Sequence, residues 1–295
     1  MRLGIIDFDT SHVGAFVRRV NKVGIEKEQW VDGAKFVVGC PGKSVIFPER
    51  IAEETASVAK LGLPLVSTAE DMLQHELDAV FVESNCGAQH LERAKFFLDH
   101  KIPLFIDKPF TCSSAEAQEI FKLADKAGVP VMSSSALRYA PEIVQAAKEQ
   151  QDKAKVVSCV AYGPGPQHPK NPGLFHYGIH AVEMLFTILG PGCEWLTAVS
   201  NKTADLITGH WKDGRIGTVC TTRPTSDYGL TVNISGKIVH HKVSTAIIYR
   251  ELLSAILEML KRKQSSIRQE ETKQIVRFIE LATVSAANHG IPQYF

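Results

Sequence analysis

Short apolar runs alternate with stretches of helical period over the first 140 residues of the chain. Residues Val13, Phe16, Val17 and Val20 recur at the spacing that places them on one face of a helix, and residues 117–124 repeat this spacing. The pattern predicts an α/β domain over residues 1–140, with a Rossmann-type parallel sheet covered by helices. We expect its strands at residues 3–6, 36–38, 65–66, 79–82, 104–106 and 129–132.

The pattern changes in the second half. Residues 156–162 predict a strand, and a loop rich in Gly and Pro at 163–173 leads into a helix. Two hairpin turns follow, at Asp213-Gly214 and at Ser235-Gly236. With helices at about 246–261 and 270–289, this half predicts an α+β domain over residues 141–295, built on a mostly antiparallel sheet.

Composition narrows the class of partner. The chain has 295 residues, enough for two domains. Its 33 Lys and Arg nearly balance its 32 Asp and Glu, so we expect a small-molecule partner and neither nucleic acid nor membrane. No signal-peptide pattern and no run of about 20 apolar residues is present, which predicts a cytoplasmic protein. Six scattered cysteines without a C-x-x-C pair predict reduced thiols.

The turn after the first strand, residues 7–14, is the first candidate site. A dinucleotide-binding turn places glycines here so that its backbone approaches the pyrophosphate, but Asp7 and Asp9 stand in the first two glycine positions. Two like charges about 4 Å apart repel by about 4 kcal/mol at an effective dielectric of about 20, which weakens binding about a thousandfold. Either the phosphates shift toward the hydroxyls and backbone amides of the turn, or this is a capped helix start without a ligand. The candidate cofactor contacts are Asp9, Thr10, Ser11, His12 and Val13.

The segment after the second strand bears on the choice of cofactor. An NAD enzyme usually has an acidic residue here for the ribose hydroxyls, but residues 39–44 contain none and include Lys43. The cation favours NADP weakly over NAD. Lys43 equally fits an exposed loop lysine.

Asp107-Lys108-Pro109 follows the apolar run at 104–106, at the carboxyl end of a strand where open α/β sheets place ligands. Lys108 there can donate to a substrate hydroxyl or carbonyl, and partial desolvation suits it to acid-base chemistry. The alternative is an Asp-Lys pair with a structural role only.

A third constellation lies at residues 173–183. If this segment is helical, His176, His180 and Glu183 lie on one face, opposite an apolar face formed by Val182 and Leu185. Histidine suits proton transfer to or from an alcohol. The i, i+4 spacing of the histidines also allows a metal, and satisfied structural histidines are the third reading.

These segments together resemble the Gfo/Idh/MocA family. Asp107-Lys108-Pro109 looks like the family's Glu-Lys-Pro motif, and His180 matches the histidine of its Asp-x-x-x-His motif. Residues 77–82 followed by His90 look like its fourth strand and the helix after it, and residues 138–141 look like the segment leading into its second domain.

The resemblance implies an oxidoreductase with NAD or NADP along the first domain and a sugar-like substrate against the second. It implies that Lys108 positions the substrate and relays protons, that His180 is the general acid-base, and that His176 stands where the family has its catalytic aspartate. It also implies a homo-oligomer, a dimer or tetramer. The further cofactor contacts that it implies are Ser84, Asn85, His90 and Asp107.

Three hypotheses follow. The leading one is an NAD(P)-dependent oxidoreductase acting on a sugar, polyol or related compound, with Lys108 and His180 converging on one cleft and without a metal ligand. The second, prompted by the aspartates and by His176, is a binding or regulatory protein that kept the fold and lost hydride transfer. The third is a metal-assisted lyase or hydrolase that uses His176, His180 and Glu183.

Overall fold

The computed structural model describes residues 1–152, 156–224 and 227–295. The chain forms two compact units. Unit 1 comprises Met1–Thr111, Ala115–Ser134 and Tyr249–Arg268, and unit 2 comprises Cys112–Ser114, Ser135–Ile248 and Gln269–Phe295. No helix within the described ranges is long and apolar enough to cross a membrane.

The regular elements of the described residues are α-helices and β-strands, numbered along the chain. The helices are α1 (His12–Asn21), α2 (Pro48–Lys60), α3 (Ala69–Met72), α4 (His90–Asp99), α5 (Ser114–Ala127), α6 (Pro141–Asp152), α7 (Ile179–Leu189), α8 (Ile248–Arg262) and α9 (Gln269–Ala287). The strands are β1 (Arg2–Ile6), β2 (Lys35–Cys40), β3 (Ala79–Val82), β4 (Leu104–Ile106), β5 (Val131–Ser133), β6 (Val156–Pro164), β7 (Cys193–Ser200), β8 (Ala204–Trp211), β9 (Ile216–Thr222), β10 (Gly229–Ile234), β11 (Lys237–Lys242) and β12 (Gln293–Tyr294).

Unit 1 is built on a parallel sheet with the strand order β2-β1-β3-β4-β5. Its central strands are buried on both faces, so they consist of continuous apolar runs rather than alternating ones. Edge-to-face contacts join Phe81 to Phe16 and to Phe36 in its core. The strand order reverses between β1 and β3, whose carboxyl ends at Ile6 and Val82 lie side by side. Ligands of open α/β sheets bind at such a reversal.

Unit 2 is built on a seven-stranded sheet with the order β11-β10-β6-β9-β8-β7-β12. Every neighbouring pair is antiparallel except β6 and β9. Burial alternates along β8, so one face of the sheet packs inward and the other is open. A cross-strand row on the open face contains Tyr162, Val199, Leu206 and Cys220.

The predicted fold class is confirmed, with three differences in detail. Residues 65–66 form only an isolated bridge between Leu65 and Gly39, because too few residues pair there to make a strand. The predicted helix over 173–183 is wrong in its first half: α7 begins at Ile179, and Gly173 has a φ of 58°, which a helix does not accept. Helix α8 belongs to unit 1 although it follows the second sheet in the chain. The domain boundary after residue 140 stays a prediction.

Candidate functional site

The turn after β1 holds its aspartates inside the protein. Asp7 is buried, with a φ of 68°, and Arg93 on α4 donates to its two carboxylate oxygens at 2.8 and 3.0 Å. Burial raises the pKa of Asp7, and the Arg93 guanidinium opposes this shift. The carboxylate at the first glycine position is therefore paired within the protein.

Asp9 joins the turn after β1 to the turn after β3. Its Oδ1 accepts the backbone N–H of Asn85 at 2.7 Å, and its backbone oxygen accepts the Asn85 side-chain amide, also at 2.7 Å. Ser44 donates to the other carboxylate oxygen of Asp9. Burial raises the pKa of Asp9, while the bonds from Ser44 and Asn85 act in the opposite direction. Two turns that would flank a pyrophosphate are thus bonded directly to each other.

The start of α1 carries four predicted cofactor contacts in different surroundings. Ser11 is exposed at the N-cap, but its side chain makes no capping bond, so the predicted cap is wrong for Ser11. The Thr10 hydroxyl accepts the His12 N–H at 3.4 Å. Val13 is fully buried in the core, so any cofactor contact there would come from its backbone. These cofactor roles stay predictions.

A buried cluster lies at the carboxyl ends of β3 and β4. His12 Nδ1 lies 2.8 Å from Asp107 Oδ2 and 3.8 Å from Glu83 Oε2. Burial alone would raise the pKa of Asp107, but the charges of His12 and Lys108 hold it below its usual range. Burial, and then the charge of Asp107, raise the pKa of Glu83 well above its usual range. Lys108 is itself largely buried beside these carboxylates.

Residues after β3 make mainly internal hydrogen bonds. The Ser84 hydroxyl accepts the Cys86 N–H at 3.1 Å. His90 is buried, and its ring nitrogens lie 3.0 Å from the Phe110 carbonyl oxygen and 2.8 Å from that of Ser84. His90 therefore fastens the turn at the start of α4, and its predicted cofactor contact is not tested by this arrangement.

A cavity of about 500 Å³ opens beside the carboxyl ends of β1 and β2. Lys43, Arg93 and Lys95 line it together with Ser67 and Thr68. Acidic residues line it too, at Glu70, Glu92 and Asp99. The volume and the hydroxyl and cationic groups suit an adenosine with a phosphate.

The fit to a nicotinamide dinucleotide differs between the two parts of this crevice. The cavity near Lys43 suits the adenosine end. The turn at Asp7 and Asp9 does not suit a pyrophosphate in the position that a glycine turn gives, because buried carboxylates occupy it and Asn85 closes onto Asp9. A bound dinucleotide must therefore run clear of these two side chains.

In unit 2, His180 stands in the first turn of α7. Its Nδ1 lies 2.7 Å from the Ser135 hydroxyl, and the rings of Tyr177 and Tyr228 lie 5.1 and 6.0 Å from its ring. Ser135 Oγ also accepts the Leu137 N–H. His180 is thus an oriented imidazole among polar and aromatic groups.

Glu183 is paired with Arg138 rather than with the histidines. Arg138 donates to Glu183 Oε2 at 3.0 and 2.7 Å and to Glu271 at 2.6 Å. His176 precedes α7 and lies near His168, with a ring separation of 5.3 Å. The prediction that His176, His180 and Glu183 share one helix face is therefore wrong, and the metal-assisted hypothesis loses its carboxylate.

Sequence reasoning missed Glu83, Arg93 and Ser135. Glu83 could have been found, because it is an acid placed directly after an apolar strand, at the edge where ligands bind. Arg93 and Ser135 gave no such signal, since each acts through a partner distant in sequence, Asp7 and His180 respectively.

Comparison with solved structures shows the same fold over the whole chain. A myo-inositol 2-dehydrogenase from Lactobacillus plantarum is 15% identical with a TM-score of 0.82, covering 100% of this chain and 99% of that one. A scyllo-inositol dehydrogenase from Lactobacillus casei is 13% identical with a TM-score of 0.80, covering 100% and 98%. GenD2 from gentamicin A biosynthesis, solved in complex with NAD, is 15% identical with a TM-score of 0.80, covering 100% and 96%.

The sequence comparisons are narrower. No curated protein sequence matches the chain significantly. Residues 35–135 match the oxidoreductase family with an NAD-binding Rossmann fold, GFO_IDH_MocA. This match covers β2 to β5 and includes Glu83, Asp107 and Lys108. Over these residues, about a third of the chain, the sequence is similar to the Rossmann domain of the Gfo/Idh/MocA oxidoreductases.

Proposed function

We propose that this protein interconverts a hydroxyl and a carbonyl group on a sugar, a polyol or a related compound. One observation carries the proposal: His180 is held through Nδ1 by Ser135, on a helix whose first turns are tied to Arg138 through Glu183. A fixed imidazole of this kind suits proton transfer to or from an alcohol. The inositol dehydrogenases that share the fold act on polyols, which supports the substrate class.

In the proposed mechanism His180 exchanges the proton of the substrate hydroxyl through Nε2. Ser135 keeps the ring in one orientation, so the nitrogen that meets the substrate stays fixed. A nicotinamide cofactor, when bound, supplies or accepts the hydride. We assign Lys43 and the other groups of the cavity beside β2 to its adenosine end.

Lys108 has the second role in this mechanism. It follows β4 at the ligand-binding edge of the sheet, and its backbone N–H donates to Asp107 Oδ1 at 2.7 Å. Its ammonium would donate to the substrate oxygen and stabilise the alkoxide that forms when the proton leaves. That Lys108 and His180 act on the same substrate stays a prediction. His176 is proposed as a secondary proton relay near His168.

Two assays test the proposal. Titration with NADH and with NADPH, followed by nicotinamide fluorescence, measures cofactor binding, and a panel of inositols, sugars and sugar acids measures turnover. We expect His180→Ala and Lys108→Ala each to lower turnover at least a hundredfold, with cofactor affinity within threefold. Exposed residues give matched controls, His100→Ala and Lys101→Ala. Equal loss of turnover and affinity in Lys108→Ala would show a structural lysine.

The choice between NAD and NADP depends on Lys43. It lies beside the end of β2, where no acidic residue follows the strand before Ser44. We propose that NADPH binds more tightly than NADH and that Lys43→Ala removes the difference. Unchanged preference in Lys43→Ala would assign the lysine to the exposed loop.

A second function is favoured by the bonds between Asn85 and Asp9. If these bonds exclude the dinucleotide, the protein is a binding or regulatory member of its family that keeps the fold without hydride transfer. Absence of binding at millimolar NADH and NADPH, together with binding of a polyol in calorimetry, would establish this function instead.

We also propose that the chain forms a homo-oligomer through the open face of its second sheet. Tyr162, Val199 and Leu206 lie in one exposed cross-strand row there. Light scattering should show a dimer or tetramer, and Leu206→Glu should shift it toward the monomer. A wild-type protein that is monomeric at 100 µM would contradict this proposal, because that concentration is on the order of the dissociation constant of a weak dimer.

A further inference from the structure

Three metal-ligand side chains converge inside unit 1, beneath the crevice at the strand reversal. His12 begins α1, Glu83 follows β3 and Asp107 follows β4. The strands fix this convergence: Glu83 N–H bonds to the Ile6 carbonyl oxygen at 2.9 Å, and Asp107 N–H bonds to that of Val82 at 2.8 Å. The positions of Glu83 and Asp107 are therefore set by the sheet, and His12 is the first residue of helix α1.

The geometry of the three side chains suits one ion. One ligand atom from each lies within 4.8 Å of the others, and His12 Nδ1 lies 2.8 Å from Asp107 Oδ2. Nitrogen and oxygen ligands bind zinc at about 2.0–2.2 Å, which puts two ligand atoms on one ion about 3–4 Å apart. The separation of His12 Nδ1 from Glu83 Oε2, 3.8 Å, falls in this range.

Glu83 supplies an independent observation. Its side chain is fully buried, and within the described parts of the chain neither carboxylate oxygen has a hydrogen-bond donor. A buried carboxylate without a partner costs several kcal/mol or more, so such groups are bonded, neutralised or bound to a metal. The nearest candidate, His12, is already engaged by Asp107 at a shorter distance.

We propose that His12, Glu83 and Asp107 bind a divalent first-row transition ion such as zinc or manganese. The imidazole favours zinc over magnesium and calcium, which prefer oxygen alone, and the two carboxylates also suit manganese. Three protein ligands leave coordination positions open for water or for an oxygen of a bound compound, as in catalytic rather than structural metal sites.

The inference does not depend on the proposed reaction, because metal binding is measured without substrate or dinucleotide. The wild-type protein is stripped with a chelator and titrated with Zn²⁺, Mn²⁺ and Co²⁺, and elemental analysis gives the ion content per chain. We expect about one ion per chain, and visible absorption bands of Co²⁺ bound through nitrogen and oxygen. Chelation should also lower the melting temperature.

Variants locate the ion. Glu83→Gln keeps the shape of the side chain and removes its charge, and His12→Ala removes the nitrogen ligand. We expect each to weaken ion binding at least a hundredfold and to abolish the effect of chelator on melting. Glu54→Gln, a half-buried carboxylate on α2 of the same unit, is the matched control and should bind the ion as the wild type does.

Two results would overturn the proposal. One is a wild-type protein that takes up none of the three ions at 100 µM, a concentration on the order of the dissociation constant of a weak site. The other is a Glu83→Gln protein that binds within threefold of the wild type. The wild-type titration decides the matter even where a variant fails to fold.

Discussion

Removal of Arg138 should destabilise unit 2 through the carboxylates it leaves behind. Arg138 is buried and donates three hydrogen bonds, two to Glu183 and one to Glu271. Burial alone would lower the pKa of Arg138, but the two carboxylates hold it above its usual range. The perturbation is Arg138→Met, which fills a similar volume without a charge.

The expected magnitude follows from the number and kind of bonds lost. Three charge-assisted hydrogen bonds at about 1.5–3 kcal/mol each set an upper limit on the stability that Arg138→Met loses. The loss is smaller than this limit because removing the buried guanidinium also removes its desolvation penalty. Breaking a buried ion pair by deleting one partner costs about 3–5 kcal/mol. We therefore expect Arg138→Met to lower the free energy of unfolding by about 3–5 kcal/mol at pH 7.

The dependence on pH has a definite sign. Burial raises the pKa of Glu183 above the ordinary value of 4.5, and Arg138 opposes that shift. Without Arg138 the folded-state pKa rises further, so the charged carboxylate destabilises the fold above the unfolded-state pKa and ceases to do so below it. The cost of Arg138→Met should therefore shrink as the pH falls from 8 toward 4.5.

Urea unfolding tests this prediction, with fluorescence from Trp195 and Trp211 reporting on unit 2. The double variant Arg138→Met with Glu183→Gln is the control, because it removes both the guanidinium and the charge that it neutralises. We expect the double variant to recover at least 1 kcal/mol, on the order of the penalty for one unpaired charge. A cost of Arg138→Met that is independent of pH and is not recovered in the double variant would refute the reasoning.

Three further perturbations follow from single contacts. Asp7→Gly removes a buried charge and should raise the affinity for NADPH at least tenfold in a fluorescence titration. It should also lower the free energy of unfolding by about 1–3 kcal/mol, because Arg93 loses its partner. Unchanged affinity would show that the phosphates bind elsewhere. Burial alone would raise the pKa of Asp205, but hydrogen bonds from Arg223 and two hydroxyls hold it below 3.8. Asp205→Asn should therefore cost about 1.5–3 kcal/mol in thermal melts between pH 5 and 8, and the cost should disappear as the pH falls below 3.8. Phe81→Ala should lower the free energy of unfolding by about 3–5 kcal/mol in urea, because the ring is fully buried among other aromatic rings; a smaller cost would mean that the core closes around the cavity.

The elements of the fold could be predicted from the sequence where burial and periodicity agree. The strand at Ala79–Val82 is buried on both faces, so its apolar run is continuous, and the face of α1 around Phe16 repeats with the helical period. The segment before α7 could not be predicted in this way. Leu174 and Phe175 are adjacent and both buried, which a helix with one apolar face would not require. Gly173 has a positive φ, and a Cβ atom there would stand 2.7 Å from Thr283 Oγ1.

The candidate site, too, could be predicted from the sequence only in part. A single lysine or histidine at a strand or helix end is visible in the sequence, and Lys108 and His180 were identified from such positions. Partners that are distant in sequence were not identified. Ser135 meets His180 from 45 residues away, and Arg93 meets Asp7 from 86 residues away, so only the folded chain brings these groups together.

The turn after β1 combines a backbone conformation typical of glycine with acidic side chains. Asp7 has a φ of 68°, the left-handed conformation that glycine adopts without cost and that other residues adopt with strain. Its side chain fills the space beside Gly42, where a Cβ atom would stand 2.0 Å from Asp7 Oδ1. The turn therefore keeps a backbone conformation that suits glycine while its side chains carry charge. Similarity of fold therefore supports a Rossmann domain here, whereas the ligands of this turn and its surroundings must be inferred from Asp9, His12 and Glu83 themselves.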